Sequence, residues 1–182
     1  MLPPWIIEKK RDGEELSDEE IDFFIKGFSE GSIPDYQMAA LAMAICLKGA
    51  SFTETSSLTK AMLQSGDVLD LGPSVGQKID KHSTGGIGDK TSLALAPLVA
   101  SCGLTVPMIS GRGLGITGGT LDKLDAIPGF RTDLNEEELR NVVDCCGCVI
   151  SGATENIAPA DKKLYALRDV TGTVPSVPLI TA

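Results

Sequence analysis

Two stretches of this chain repeat one order of residues: a strand-like apolar run, a loop of glycines and hydroxyls, then a helix start. The first, Lys81 to Ser92, packs three glycines, four hydroxyls, two lysines and the only histidine, His82, into twelve residues. It follows the alternating run Val75–Ile79 and precedes the apolar run Leu93–Val99. The second, Ser110 to Thr120, follows the strand-like Leu104–Ile109 and opens into Leu121-Asp122-Lys123-Leu124. Glycines at such a turn let the backbone approach an anion closely, and a helix start adds free N–H groups and the positive end of its dipole. Hydroxyls and a lysine add donors aimed at the same point. Strands alternating with helices imply a parallel sheet with ligand loops at the strand C-terminal ends. Two loops side by side there would hold one phosphate or other oxyanion between them. Neither loop fits G-x-x-x-x-G-K-[ST], so a nucleotide fold is the weaker reading.

Within this frame His82, between Lys81 and Ser83, is a candidate for acid catalysis or charge stabilisation. Arg112 sits inside the second loop and is expected to hold it. Tyr165 and Arg168, three apart, share a helix face. The formal charge of -9 argues against nucleic acid as a partner, so positive charge for an anionic substrate must be local, and Lys81 and Lys90 supply it. No apolar run reaches the roughly 18 residues of a membrane span, and Met1-Leu2-Pro3-Pro4-Trp5 does not open a secretory signal. The five cysteines are odd in number and irregularly spaced, which points to free thiols in a reducing compartment, hence the cytoplasm. Cys145, Cys146 and Cys148 lack partners for a zinc shell and, among valines and Ile150, are expected to be ordinary buried thiols.

The first 66 residues read as a small helical bundle. A short helix from Trp5 fails at Asp12-Gly13. Ser17 and Glu20 form a capping box ahead of Ile21, Phe24, Ile25 and Phe28. Pro34 falls in the first turn of a third helix with Met38, Leu41, Ala42 and Ile45 on one face and Gly49 as its stop. Ser51 and Glu54 cap a fourth helix that runs to Gly66. A hinge-like stretch, Asp67 to Ser74, leads into the α/β pattern, with further helices over Thr91–Ser101 and Glu136–Cys145 and a strand over Cys148–Ile150. The expected organisation is an all-helical domain over residues 1–66, joined by a helix in 159–182, with the first part of an α/β phosphate-binding domain over 67–158.

Lys81-His82-Ser83-Thr84-Gly85-Gly86-Ile87-Gly88-Asp89-Lys90 resembles the phosphate loop of the thymidine and pyrimidine-nucleoside phosphorylases. Ser110 to Leu124 resembles that family's signature segment, and Pro159 to Asp169 its base-binding helix. The likeness is collinear from about Pro3 to Ala182. It implies a helical domain that forms a homodimer, a larger α/β domain, and a cleft between them. The implied reaction is reversible phosphorolysis: thymidine and phosphate give thymine and 2-deoxy-α-D-ribose 1-phosphate. By position, the resemblance implies that Lys81, Ser83, Ser92, Ser110 and Thr120 hold phosphate. His82 would face the pyrimidine O2, and Tyr165 and Arg168 would position the base, with Arg168 on a carbonyl oxygen. Met108 matches thymidine-selective members, where broader ones carry a lysine that reaches the ribose 2′-hydroxyl. Lys90 stands where some members have a threonine that helps bind potassium; its ammonium would replace the ion, so no metal and no cofactor is expected, phosphate being a substrate.

The chain departs from the family pattern at Ile116, where a histidine is usual, and at Asp125, Ala153, Gly172 and Pro175. It stops at Ala182, before a serine and a lysine that members use on the base. The expectation is therefore an N-terminal part with apolar surface exposed around Val75–Ile79 and Leu104–Ile109, poorly stable and nearly inactive alone. Two other readings remain: a non-catalytic isoform that only dimerises, and a phosphoribosyltransferase of the same fold. The latter would need magnesium and an acidic metal-binding pair, which the sequence does not show.

Overall fold

The computed structural model describes residues 1–72, 76–83, 89–113, 118–154 and 156–182. The chain divides into two units: residues 1–68 with 155–182, and residues 69–154.

The first unit is all helix: α1 (Pro3–Arg11), α2 (Asp18–Glu30), α3 (Asp35–Lys48), α4 (Phe52–Leu63), and then, from the far end of the chain, α8 (Pro159–Thr171) and α9 (Val177–Thr181). Two of them, α2 and α4, begin where side chains satisfy their first N–H groups. Ser17 Oγ accepts from Glu20 N while Glu20 accepts from Ser17 N, and Ser51 and Glu54 repeat the exchange ahead of α4. Pro34 lies one position outside the helical turn expected of it, as the residue that caps α3. α1 packs on α3, α2 on α4, and α8 and α9 close over them. Their facing side chains, Phe24, Phe28, Met38, Leu41, Ile45, Leu58, Leu164 and Leu179 among them, form one continuous buried core. Glu54 has a second task. Its carboxylate takes Lys10 Nζ at 2.7 and 2.8 Å and the Leu16 N–H at 2.9 Å, in a pair that is almost wholly buried. Burial opposes charge on Glu54, but the N–H groups of Leu16 and Ser51 and the Lys10 ammonium outweigh it and hold the carboxyl below its usual range.

The second unit is built on two parallel strands, β1 (Val106–Ser110) and β2 (Cys148–Gly152), paired from Val106 with Cys148 to Ser110 with Gly152. Successive strand residues face opposite sides. Val106, Met108 and Ile150 meet α5 (Thr91–Ser101) and α6 (Thr120–Leu124) through Ala96, Leu121 and Leu124. Val149 meets α7 (Glu136–Cys146) through Leu139 and Val143. Helix, sheet and helix thus make three layers, and Ser110 ends its strand at the C-terminal edge.

Several expectations change here. Of the run Val75–Ile79, Val75 lies outside the described residues. The rest makes one bridge, Lys78 to Thr105, with Ile79 N donating to Thr105 O and Thr105 N to Gln77 O. Ile79 is exposed, as expected, but Val106 and Met108 are buried because α5 and α6 cover that face of the sheet. Cys145 and Cys146 are exposed rather than buried, and Cys148 is half-buried. The buried stripe of α7 is set by Leu139 and Val143, and the chain reverses at Gly147 in the left-handed conformation (φ 71°), so the last turn falls outside the core.

Candidate functional site

Both glycine loops reach the N-terminal ends of helices in the α/β unit, and three of the five expected phosphate ligands meet there. Their common partner is Asp89. Lys81 Nζ donates to Asp89 Oδ2 at 3.0 Å, and Thr120 Oγ1 donates to the same oxygen at 3.1 Å. Ser92 donates its N–H to Oδ1 at 3.2 Å and its hydroxyl to Oδ2. Local sequence explains the arrangement. Asp89 lies three residues before Ser92, so its carboxylate covers a free N–H of the first turn of α5. Thr120 is the first residue of α6, and a Cβ on Gly119 would lie 2.4 Å from the Arg112 carbonyl carbon. Only glycine lets the second loop close so tightly on itself.

The surroundings of Asp89 favour its anion. Its side chain is 8% exposed, which by itself would raise the pKa. The hydrogen bonds from Ser92, Lys81 and Thr120 win, and the carboxyl is held far below its ordinary range. Ser92 and Thr120 are themselves buried. Ser83 and Ser110 are half-buried, and His82 is exposed. Asp80, two residues before His82, accepts the Lys81 N–H at 2.7 Å, and desolvation raises its pKa against that bond and the nearby His82 charge. Ile116 lies outside the described residues.

Arg112 holds the second loop, as expected. Its guanidinium donates to Asp122 Oδ1 at 3.0 Å and Asp125 Oδ2 at 2.7 Å, while Asp122 Oδ2 takes the N–H groups of Gly113 and Gly119 at 2.7 and 2.8 Å. Met108 is fully buried among apolar side chains.

Tyr165 and Arg168 belong to the helical unit, on α8. Tyr165 is half-buried. Arg168 is buried, and its guanidinium donates to the carbonyls of Leu179 and Val174, both at 2.7 Å, and of Thr173 at 3.5 Å. Its Nε has no hydrogen-bond partner among the described residues. Desolvation lowers its pKa. The resemblance implies a contact of this side chain with the base; in the structure it ties α8 to α9 and to the turn between them.

Sequence reasoning also passed over Asp89 as a site residue. The available signal was the spacing Asp89-x-x-Ser92 at a helix entry, an N-terminal capping pattern placed inside a loop already selected for its anion-binding donors.

A helical bundle with a parallel α/β unit, whose loops gather a lysine and hydroxyls at helix starts, defines a class of two-unit α/β protein. The same architecture occurs in anthranilate phosphoribosyltransferase from Thermus thermophilus, with a TM-score of 0.69 at 22% identity over 97% of this chain and 54% of that one, a likeness of fold. The chain belongs to the glycosyl transferase family: the family's a/b domain matches residues 75–182 and its helical bundle domain residues 5–66. Curated relatives include a pyrimidine-nucleoside phosphorylase from Staphylococcus haemolyticus, 58% identical over 97% of this chain and 41% of the relative. A thymidine phosphorylase from Sinorhizobium medicae is 59% identical over the whole chain and 42% of the relative. The chain thus spans about two-fifths of the length of these relatives.

Proposed function

We propose that this chain supplies the phosphate loops and part of the base site of a pyrimidine nucleoside phosphorylase, acting on thymidine as a cytoplasmic homodimer. The observation that carries the reading is the meeting of Lys81, Ser92 and Thr120, from both glycine loops, at one point beside the start of α5. The names of the relatives at 58% and 59% identity supply the nucleoside.

In this reading Lys81, Ser83, Ser92, Ser110 and Thr120 hold phosphate. A phosphate oxygen attacks C1′ of the deoxyribose and forms the new C–O bond. The C1′–N1 bond breaks, and its electron pair goes to the pyrimidine. Charge grows on the base carbonyls as it leaves, and donors aimed there stabilise the transition state more than the substrate. His82 faces O2 and gives or shares a proton; Tyr165 and Arg168 orient the base. Met108 offers no donor to a ribose 2′-hydroxyl, which favours deoxynucleosides. No metal or cofactor takes part.

The test is a chimera of residues 1–182 joined in frame to the remainder of the Sinorhizobium medicae relative, assayed with thymidine and uridine side by side. Phosphorolysis of thymidine is expected, and His82→Ala should lower kcat/KM by about a hundredfold or more. Arg168→Ala should lower it too, with a loss of stability from the freed carbonyls. Wild-type kcat/KM in both variants would remove the site assignment.

A further inference from the structure

The donors assigned to phosphate are already engaged by an anion that belongs to the chain. An ionised carboxylate only accepts, so each partner of Asp89 must be the donor. A hydroxyl has one proton. Those of Ser92 and Thr120 are both committed to Asp89 Oδ2, and the Ser92 N–H is committed to Oδ1. One of the three Lys81 protons faces Oδ2 as well. The Asp89 carboxylate is nearly buried, so solvent screens it little.

Resting on the phosphate reading above, we propose that Asp89 is an internal counter-anion, and that phosphate binds by exchange, taking the Ser92 and Thr120 hydroxyl protons and the Lys81 charge from its carboxylate. Two effects then oppose each other at this residue. The carboxylate keeps donors from two loops pointed at one place, which favours binding. It also repels the incoming dianion and divides the Lys81 charge with it. At a separation of one hydrogen-bond shell in a poorly screened site, charge repulsion exceeds the ordering of three side chains. Asp89 thus sets the affinity for phosphate downwards, and its removal tightens binding.

The experiment is calorimetric titration of inorganic phosphate into the chimera of residues 1–182 with the remainder of the Sinorhizobium medicae relative, and into three variants of it, in a buffer free of other oxyanions. Asp89→Asn keeps the shape and removes the charge. Asp89→Ser keeps an acceptor for the Ser92 N–H, so that α5 retains a cap if the asparagine variant folds poorly. Both are expected to bind phosphate at least tenfold more tightly than wild type. Unchanged or weaker binding in a variant with the wild-type circular dichroism spectrum would overturn the proposal and make Asp89 a fixed part of the frame. Lys81→Met separates this from the underlying reading. If it abolishes binding while the Asp89 variants do not tighten it, the exchange is wrong and the phosphate site stands. If phosphate binds to none of the proteins, or Lys81→Met leaves binding intact, the phosphate site itself is wrong and the exchange falls with it.

Discussion

Glu54 joins two kinds of stabilisation in one side chain. It closes the capping box of α4 and it neutralises the buried Lys10 from 44 residues away. Glu54→Gln leaves the ammonium buried without its counter-charge, and such a loss costs about 3 kcal/mol, to be read from the denaturant midpoint of the helical unit. The pH dependence follows from the direction of the shift. The folded-state pKa lies below the ordinary 4.5, so the stabilisation is fully present above about that pH and is lost as pH falls through the folded value. Acid melting that begins below pH 4.5 in wild type should be blunted in Glu54→Gln, by circular dichroism. The box itself was legible, since Ser51 and Glu54 stand three apart. Lys10 was not: a partner in another helix leaves no local spacing to read. Asp89 is the same case within the site. Its tie to Ser92 is local, while its tie to Thr120 spans 31 residues and exists only once two loops have been folded to one edge.

At the level of elements, the turn into α8 is where the chain pays most visibly for its geometry. Ala158 sits at φ 44°, ψ 55°, the one described residue other than glycine with positive φ. A left-handed alanine crowds its Cβ against the following carbonyl, at a cost of roughly 1–2 kcal/mol. Ala158→Gly should therefore stabilise the helical unit, by about 1 kcal/mol after the extra entropy of glycine in the unfolded chain is subtracted. A lower denaturant midpoint for this variant would show that the strain is relieved elsewhere. Helices with caps and a clean apolar stripe, α2 and α7, could be read from the sequence to within a residue or two, while α4 starts where its cap placed it but ends at Leu63, short of the expected Gly66. The last short helix was not separated from α8. Ser176 stands at its N-cap without a side-chain cap bond, and α9 forms because Leu179 has a core to enter and Arg168 binds its carbonyl. The exposed Cys145 and Cys146 were misjudged because neighbouring valines say nothing about where a helix ends relative to the layer it covers.

For the molecule as a whole, sequence periodicity distinguished a helical part from an α/β part, because apolar spacing changes near residue 67. Which part a late helix joins is decided by tertiary packing, which local apolar spacing does not encode. The core of the helical unit makes the point. Ala160, Leu164 and Leu179 are buried in it beside Phe24, Met38 and Leu58. Removing residues 159–182 should strip several buried apolar side chains from that core and lower its melting temperature, while leaving the two-stranded unit of residues 69–154 with its own apolar layers. A circular dichroism melt unchanged by the deletion would contradict this. The same discontinuity has a consequence for biosynthesis. A ribosome delivers the four N-terminal helices first, but their core stays open until α8 and α9 emerge, after the whole of residues 69–154. Residues 69–154 are in the growing chain before the unit that began synthesis can close. The first helices must therefore wait with apolar faces uncovered, a window in which slow elongation or a shortage of chaperones would be felt by the oldest part of the chain rather than the newest.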